Sequence, residues 1–175
     1  MKSFYFIFSG LFLASCSVLV GQVKPVDEKS VNSSTEKPVL EALGWKRLDL
    51  VASSTSASDV PDAAWQSPKT SAVISLNSVC RSGGKSSRGI REVTDSLLTQ
   101  WDGLVIQSQK DLRFKGLPGY ETTALGKYAG RERRFQTLVV KSPTCIYDVV
   151  YLSGIETFEQ ELSAFLRFRD SLNIK

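Results

Sequence analysis

From Leu104 to Ser153 the sequence is a succession of four strand-like segments, and this stretch constrains the fold more than any other. The segments are rich in β-branched and aromatic residues, and short turn signals separate them. In order they read LVIQSQKDLRFKG, YETTALGKYA, RRFQTLVVK and CIYDVVYLS, divided by Leu117-Pro118-Gly119, Gly130-Arg131 and Ser142-Pro143. Because short connections join antiparallel neighbours, the sequence predicts an antiparallel β-meander.

A β-hairpin and two amphipathic helices complete the predicted domain. AWQSPKTSAVISLNSVC predicts a hairpin that turns at Pro68-Lys69 and ends in a strand over Val73 to Cys80. Apolar residues recur at helical spacing in two later segments, first at Ile90, Val93, Leu97 and Leu98, then at Phe158, Leu162, Phe165 and Leu172. The first helix should end at Asp102-Gly103. Residues 44–175 are therefore predicted to form a single α+β domain, in which at least two helices cover an antiparallel sheet made of the hairpin and the meander.

This order of elements resembles that of bacterial lipoproteins with the PsbP-like or Mog-like fold. The resemblance covers residues from about 45 to 175 and includes a few local words, which are W-x-x-P-K, I-S-L-N-S-x-C, C-I-Y-D-V-V-Y and a Phe-rich terminal helix. It implies an α+β sandwich and a role as a binder or assembly factor rather than an enzyme. It carries over no binding residue.

The first 16 residues have the arrangement of an export signal. Met1 and Lys2 form a short positive region, and an apolar run from Phe4 to Ala14 follows it. Leu13-Ala14-Ser15-Cys16 resembles the bacterial lipobox, which implies cleavage before Cys16 and lipid chains on that cysteine. We accordingly expect a lipoprotein signal peptide over 1–15, and a lipidated cysteine with a flexible tether over 16–43.

Two other interpretations of this N-terminal segment stay open. Residues 4–20 approach the length of an uncleaved membrane anchor, and Leu13-Ala14-Ser15 could also end an ordinary secretory signal. Neither alternative requires a thiol at position 16, so the cysteine favours the lipobox.

The two remaining cysteines, Cys80 and Cys145, are predicted to form a disulfide. If Cys16 carries lipid, they are an even pair in an oxidising compartment. Each lies at the end of a predicted strand, so antiparallel neighbours would bring the two to one edge of the sheet. The alternative is two buried free thiols.

The composition excludes several functional classes. The 175 residues contain no histidine, which excludes a Ser-His-Asp triad and imidazole metal ligands. The net charge of +4 comes without a basic stripe and argues against a nucleic-acid partner. Gly84-Lys85-Ser86 resembles the end of a phosphate-binding loop, but Val79 stands where its first glycine is needed. We expect no catalytic residue, cofactor or metal site.

Asp148 is the polar residue of the sequence that most needs an explanation. Period-two alternation places it on one strand face with Ile146, Val150 and Leu152, where a carboxylate is costly unless it is paired. We expect a salt bridge to an arginine such as Arg134 or Arg169; the alternative is an acid with a shifted pKa in a pocket.

Two tyrosines, Tyr147 and Tyr151, fall on the opposite face of the same strand. We expect them to pack under a helix, and a ligand groove between sheet and helix is the alternative.

Taken together, these features predict a membrane-anchored, non-enzymatic binding or structural module of the bacterial cell envelope. Its predicted partners are the lipid bilayer, reached through the acyl chains of Cys16, and an unidentified envelope protein. Ser17 rather than aspartate after the cysteine favours the outer membrane and a domain facing the periplasm. A periplasmic carrier of an apolar small molecule is the alternative, and a histidine-free enzyme is a third. A deep apolar cavity with convergent polar groups would favour the carrier.

Overall fold

The computed structural model describes residues 39–50, 61–80 and 89–174. The predicted signal peptide, Cys16 and the tether up to residue 38 lie outside the described residues, as does the glycine-rich segment 81–88. The elements are α1 (Val39–Ala42), β1 (Lys46–Arg47), β2 (Ala63–Gln66), β3 (Val73–Cys80), α2 (Ile90–Leu98), β4 (Asp102–Phe114), β5 (Leu117–Tyr128), β6 (Arg131–Lys141), β7 (Cys145–Ser153) and α3 (Phe158–Ser171).

The strands of the described residues form one antiparallel sheet in the order β1-β2-β3-β7-β6-β5-β4. The predicted hairpin is β2–β3, and the predicted meander is β4 to β7. After β3 the chain passes through α2 to the far edge of the sheet and then returns strand by strand until β7 pairs with β3. The predicted α+β architecture, a hairpin and a meander covered by helices, is confirmed.

Two turns of the meander differ from the sequence prediction. The β4–β5 turn consists of Lys115 and Gly116, and the β5–β6 turn consists of Ala129 and Gly130; all four residues have positive φ angles between 50° and 84°. Two-residue turns with positive φ match the twist of the flanking strands. The predicted turn at Leu117-Pro118-Gly119 therefore lies inside β5, where Pro118 is in register with Arg113 of the edge strand β4.

One face of the sheet is covered by α3 and packed with aromatic side chains. Phe158, Phe165 and Phe168 of this helix are buried against Trp65 of β2 and Tyr151 of β7. The rings of Tyr151 and Phe165 stack with their centroids 5.4 Å apart, and those of Trp65 and Phe168 lie 5.0 Å apart. This face holds the main hydrophobic core.

The opposite face is covered by the shorter helix α2. Its Leu98 packs with Ala124 of β5 and Phe135 of β6, and Trp101, just after the helix, lies against this cluster. The helix ends at Leu98, earlier than predicted, and Asp102-Gly103 already opens β4. Ile90, Val93 and Leu97 are only half-buried, so α2 covers the face incompletely.

Packed structure begins before Gly44. Val39–Ala42 forms a short helix, and Leu40 is completely buried in the core beneath α3. No helix of the described ranges is both long and apolar enough to cross a bilayer.

Candidate functional site

A groove of about 440 Å³ lies on the face of the sheet that α2 covers incompletely. Its floor is the central strands β3, β7 and β6. One wall comes from α2 and the residues after it, and the other from the segments next to β1 and β2. The lining residues are Leu48, Leu50, Pro61, Ala64, Val73, Ser75, Asn77, Leu97, Gln100, Trp101, Tyr128, Phe135, Thr137, Asp148, Val150 and Leu152. The volume is within the usual range of small-molecule sites.

The register of three strands brings four polar side chains together on the floor of this groove. Val150 of β7 is opposite Ser75 of β3 on one side and Thr137 of β6 on the other. Asp148 lies two residues away along β7 and is opposite Asn77. Since side chains two residues apart point to the same face, the polar groups surround one central valine.

Asp148 is a buried carboxylate, with 7% of its surface exposed. Burial, together with a smaller effect of the charge of Asp62, raises the pKa of Asp148 to about 6. A hydrogen bond that Asn77 Nδ2 donates to Asp148 Oδ2 over 3.2 Å acts in the opposite direction. The carboxylate is therefore ionised at neutral pH but lacks most of the water that would stabilise its charge.

The predicted salt bridge of Asp148 to Arg134 or Arg169 is wrong. Arg134 binds Glu159 at 2.8 Å, and Arg169 binds Glu121 at 3.2 Å. The reason is the sheet's two-residue period. Arg134 points to the face that α3 covers, and Arg169 belongs to α3 itself, so both lie across the sheet from the carboxylate. The alternative interpretation, an acid with a shifted pKa in a pocket, describes the position of Asp148.

Thr137 adds an unpaired polar atom to the groove. The residue is completely buried, and its Oγ1 makes no hydrogen bond to any described residue. A buried hydroxyl without a partner costs free energy, and such atoms mark places where a bound molecule can supply the missing bond.

The apolar end of the groove is aromatic. The ring of Trp101 lies 4.5 Å from that of Phe135 and 5.2 Å from that of Tyr128. Leu152 of β7, in register with Phe135, packs against the same cluster. The groove thus has an apolar end and a polar floor that includes one carboxylate.

The two tyrosines of β7 lie on the opposite face of the sheet, where Tyr147 is half-buried and Tyr151 is buried. Tyr151 is fully buried under α3, and its hydroxyl donates a 2.7 Å hydrogen bond to the carbonyl oxygen of Phe158. Burial raises the pKa of Tyr151 to about 12. The expectation that Tyr151 packs under a helix is confirmed, and the groove lies on the other side of the sheet.

Cys80 and Cys145 are joined by a disulfide, with an S–S distance of 2.09 Å and Cα atoms 4.1 Å apart. They are directly opposite each other in the β3–β7 pair. The backbone N–H and C=O of Cys145 both bond to Ser142, away from β3. A pair without ladder hydrogen bonds is the closer kind of antiparallel pair, which accounts for a separation just below the range of about 4.4 to 6.8 Å usual for disulfides.

The sequence predicted a pocket at Asp148 only as an alternative, and a ligand groove was considered on the tyrosine face of β7 instead of this face. The sequence signal of the groove was the alternation of Ser75 and Asn77 with apolar residues in β3. In a central strand such polar side chains need hydrogen-bond partners, from the protein or from a ligand. The described part of the chain holds no group of three or more Cys, Asp or Glu side chains that could bind a metal ion.

Comparison with known proteins shows which fold the domain has. No family model matches the sequence, and no curated protein is similar to it. Similar solved structures include a Pseudomonas aeruginosa protein of unknown function, with a TM-score of 0.54, 10% identity and coverage of 75% of this chain and 97% of that one. CyanoP, the PsbP of Synechocystis, has a TM-score of 0.54 and 10% identity over 75% of this chain and 82% of its own. LpqN of Mycobacterium tuberculosis, involved in cell envelope biogenesis, has a TM-score of 0.48 at 10% identity, over 72% and 75%. The likeness to CyanoP confirms a PsbP-like α+β fold.

Proposed function

We propose that this protein is a membrane-tethered, non-enzymatic module of the bacterial cell envelope that binds an apolar small molecule in the groove. The observation that carries the proposal is the groove itself, in which an aromatic end adjoins a floor with four polar side chains. Ligand sites typically combine a mostly apolar lining with a few polar groups that fix orientation.

A binding role fits the chemistry of the groove better than catalysis does. Asp148 is the one carboxylate among the lining residues, and the chain has no histidine. Nucleophilic catalysis by a hydroxyl group needs an adjacent activating base, whereas the described hydrogen bond of Asp148 comes from Asn77. A single carboxylate among serine, threonine and asparagine side chains can orient a ligand without transforming it.

The groove is tested with a neutral probe, N-phenyl-1-naphthylamine, whose fluorescence increases in an apolar environment. Val150→Phe adds bulk at the centre of the floor and should abolish most of the increase. Val105→Phe is the matched control, because Val105 is exposed on β4 and does not line the groove. Equal fluorescence with both variants, each shown to be folded by its thermal melt, would refute binding in the groove.

The envelope location rests on the sequence LASC. A lipid on Cys16 would hold the domain near a membrane through the residues that precede α1, and Ser17 favours delivery to the outer membrane. Metabolic labelling with palmitate tests this part of the proposal. We expect label on the wild type and none on Cys16→Ala, which should accumulate as precursor; an unlabelled wild type would exclude the anchor.

A further inference from the structure

We infer that the ligand of the groove carries a positively charged group, such as a protonated amine, at one end of an apolar body, and that Asp148 binds this group. The inference rests on the proposed function, since it specifies the chemistry of a molecule that occupies the same groove. It follows from the distribution of charge in the groove, from the hydrogen bonds that Asp148 leaves unmade and from the length of the floor.

The described residues that line the groove carry one negative charge and no positive one. They include Asp148 but neither lysine nor arginine. Among the described residues, Asp148 has no cationic partner within ion-pair distance, since the nearby arginine candidates bind acids on the other face. Asp62, the other charge that acts on Asp148, is also an acid. The local field therefore favours a cation.

The carboxylate has unused hydrogen-bonding capacity. An ionised aspartate offers about four acceptor sites, and among the described residues Asp148 has one donor, Asn77. Its raised pKa of about 6 reflects the cost of burying a charge with so little compensation. An ammonium group that donates to the free carboxylate oxygen would offset this cost, because charge-assisted hydrogen bonds are the strong ones. Thr137 Oγ1, also unpaired, lies on the same floor and can accept or donate.

The floor also sets the length of the apolar body. Leu152 lies four residues after Asp148 on β7, which corresponds to about 13 Å along the strand at 3.3 Å per residue. Trp101 and Phe135 cluster at the Leu152 end. A ligand with a cationic head at Asp148 and a tail of roughly ten methylene groups would reach the aromatic cluster, judged by this strand length.

The net charge of the protein makes specific binding of a cationic ligand easy to distinguish from unspecific adsorption. The chain has a net charge of +4, so surface electrostatics favour anionic amphiphiles over cationic ones. A preference for the cation would therefore come from a local site and not from the overall field.

Three probes that differ only in the head group test the inference: decylamine, decanol and decanoate. They are titrated at about pH 7.5, where the amine is protonated and an acid with a pKa near 6 is ionised. The protein is the chain from Ser17, which retains every described residue, purified from the periplasm. The readout is isothermal calorimetry, supported by the fluorescence of Trp101, because Trp45 and Trp65 are buried in the opposite core.

We expect decylamine to bind at least about tenfold more tightly than decanol, the factor given by one charge-assisted hydrogen bond, and decanoate to bind most weakly. Asp148→Asn should remove the preference for the amine while decanol binds as before. Asp170→Asn is the matched control, since Asp170 lies on α3 and is exposed, and it should keep the wild-type order.

The outcomes separate the two proposals. If decanol binds in a Val150-dependent manner but decylamine binds no better, the groove is a ligand site and the inference about charge is overturned. If decylamine is preferred equally by the wild type and Asp148→Asn, the assignment to Asp148 is overturned. If the wild type binds none of the three probes, the proposed function fails together with the inference.

Discussion

The two faces of the sheet are built from alternate residues of the same strands, yet the two faces are covered and packed differently. Val149 and Val150 are neighbours on β7; the first is completely buried under α3, and the second lines the groove. Under α3 the tyrosine hydroxyl is bonded to a carbonyl, whereas in the groove Thr137 Oγ1 has no partner among the described residues. Two buried nitrogens of the α3 face, Trp65 Nε1 and Arg134 Nε, also lack a partner among the described residues, so the two faces differ in packing, closed under α3 and open at the groove.

The difference follows from the two covering helices. The helix α3 has 14 residues and places three phenylalanines on the sheet. The helix α2 has nine residues, and its fully buried positions are Thr94 and Leu98. A short helix with a narrow buried stripe cannot fill a face as wide as the central strands, so space is left beside it. The stability of the domain should therefore depend on one face and ligand binding on the other.

The largest contrast should come from the helices themselves. Phe165→Ala removes a completely buried ring from the core and should reduce the free energy of unfolding by about 3–5 kcal/mol. Leu97→Ala, on the groove side of α2 and only half-buried, should cost about 1 kcal/mol, since less apolar area is lost. Urea denaturation of both variants measures the difference. Similar losses would mean that the groove face carries as much of the stability as the core.

Removing the disulfide should affect both faces together. The bond joins β3 and β7, which contribute side chains to the core and to the groove. A closed loop of 65 residues gives roughly 4 kcal/mol in the chain-entropy model, an upper guide. We expect the double variant Cys80→Ala with Cys145→Ala to lose about 2–4 kcal/mol of the free energy of unfolding. Unfolding should remain a single transition, in which signals from the groove and from the core change together. Reduction of the wild type is the control. Unchanged stability would contradict the bridge.

Asp148→Asn should stabilise the domain at neutral pH. The folded-state pKa of about 6 is above the ordinary 3.8, so the native state holds its proton more firmly and the wild type loses stability as pH rises from about 4 through 6. Above about pH 6 the variant should therefore be more stable than the wild type by about 1–3 kcal/mol, since each pKa unit corresponds to about 1.36 kcal/mol. At about pH 3 the two proteins should be nearly equal in stability.

Thermal melts across this pH range measure the effect of Asp148→Asn. Asp170→Asn, which changes an exposed acid on α3, should follow the wild-type curve within about 0.5 kcal/mol. A stability difference for Asp148→Asn that does not depend on pH would show that the carboxylate is not the cause.

The smallest contrast is also the most local. Val149→Ala should cost about 1–3 kcal/mol because it leaves a cavity in a closed core. Val150→Ala should cost less than about 1 kcal/mol, because the methyl groups removed already border open space. Chemical denaturation of the two variants compares adjacent residues of one strand, so backbone propensity cancels. The reverse order would assign the tighter packing to the groove face.

The elements of the fold could be predicted from sequence because each has a local signal. The period of α3, from Phe158 to Leu172, and the alternation in β3 and β7 gave the correct type and position. The turns were displaced because Lys115 and Ala129 adopt positive φ, a conformation that neither residue type indicates. Gly116 and Gly130 were the stronger signals.

The position and lining of the groove could not be predicted from sequence, because they depend on strand register and on how much of the face α2 covers. The sequence shows that Asp148 shares a face with Val150, but not that Arg134, on the adjacent strand β6, points to the other side. That fact follows from the pairing of Val139 with Asp148, a non-local choice. The area of the sheet face that a helix leaves uncovered depends on the packing of the whole domain, so it cannot be predicted from any single residue.

Under the proposed export, the return of β7 to β3 has a consequence for the order of events as the chain emerges from a translocation pore. Residues leave such a pore from the N-terminus, so β3 is available well before its partner, which follows 65 residues later. In that interval β3 has only the four-residue strand β2 to pair with. Contacts between distant segments form slowly, and an unpaired apolar strand edge is prone to aggregate. The domain therefore has a vulnerable period that ends when the last strand arrives, and export that stalls between β6 and β7 would be more damaging than export that stalls after α3 has begun.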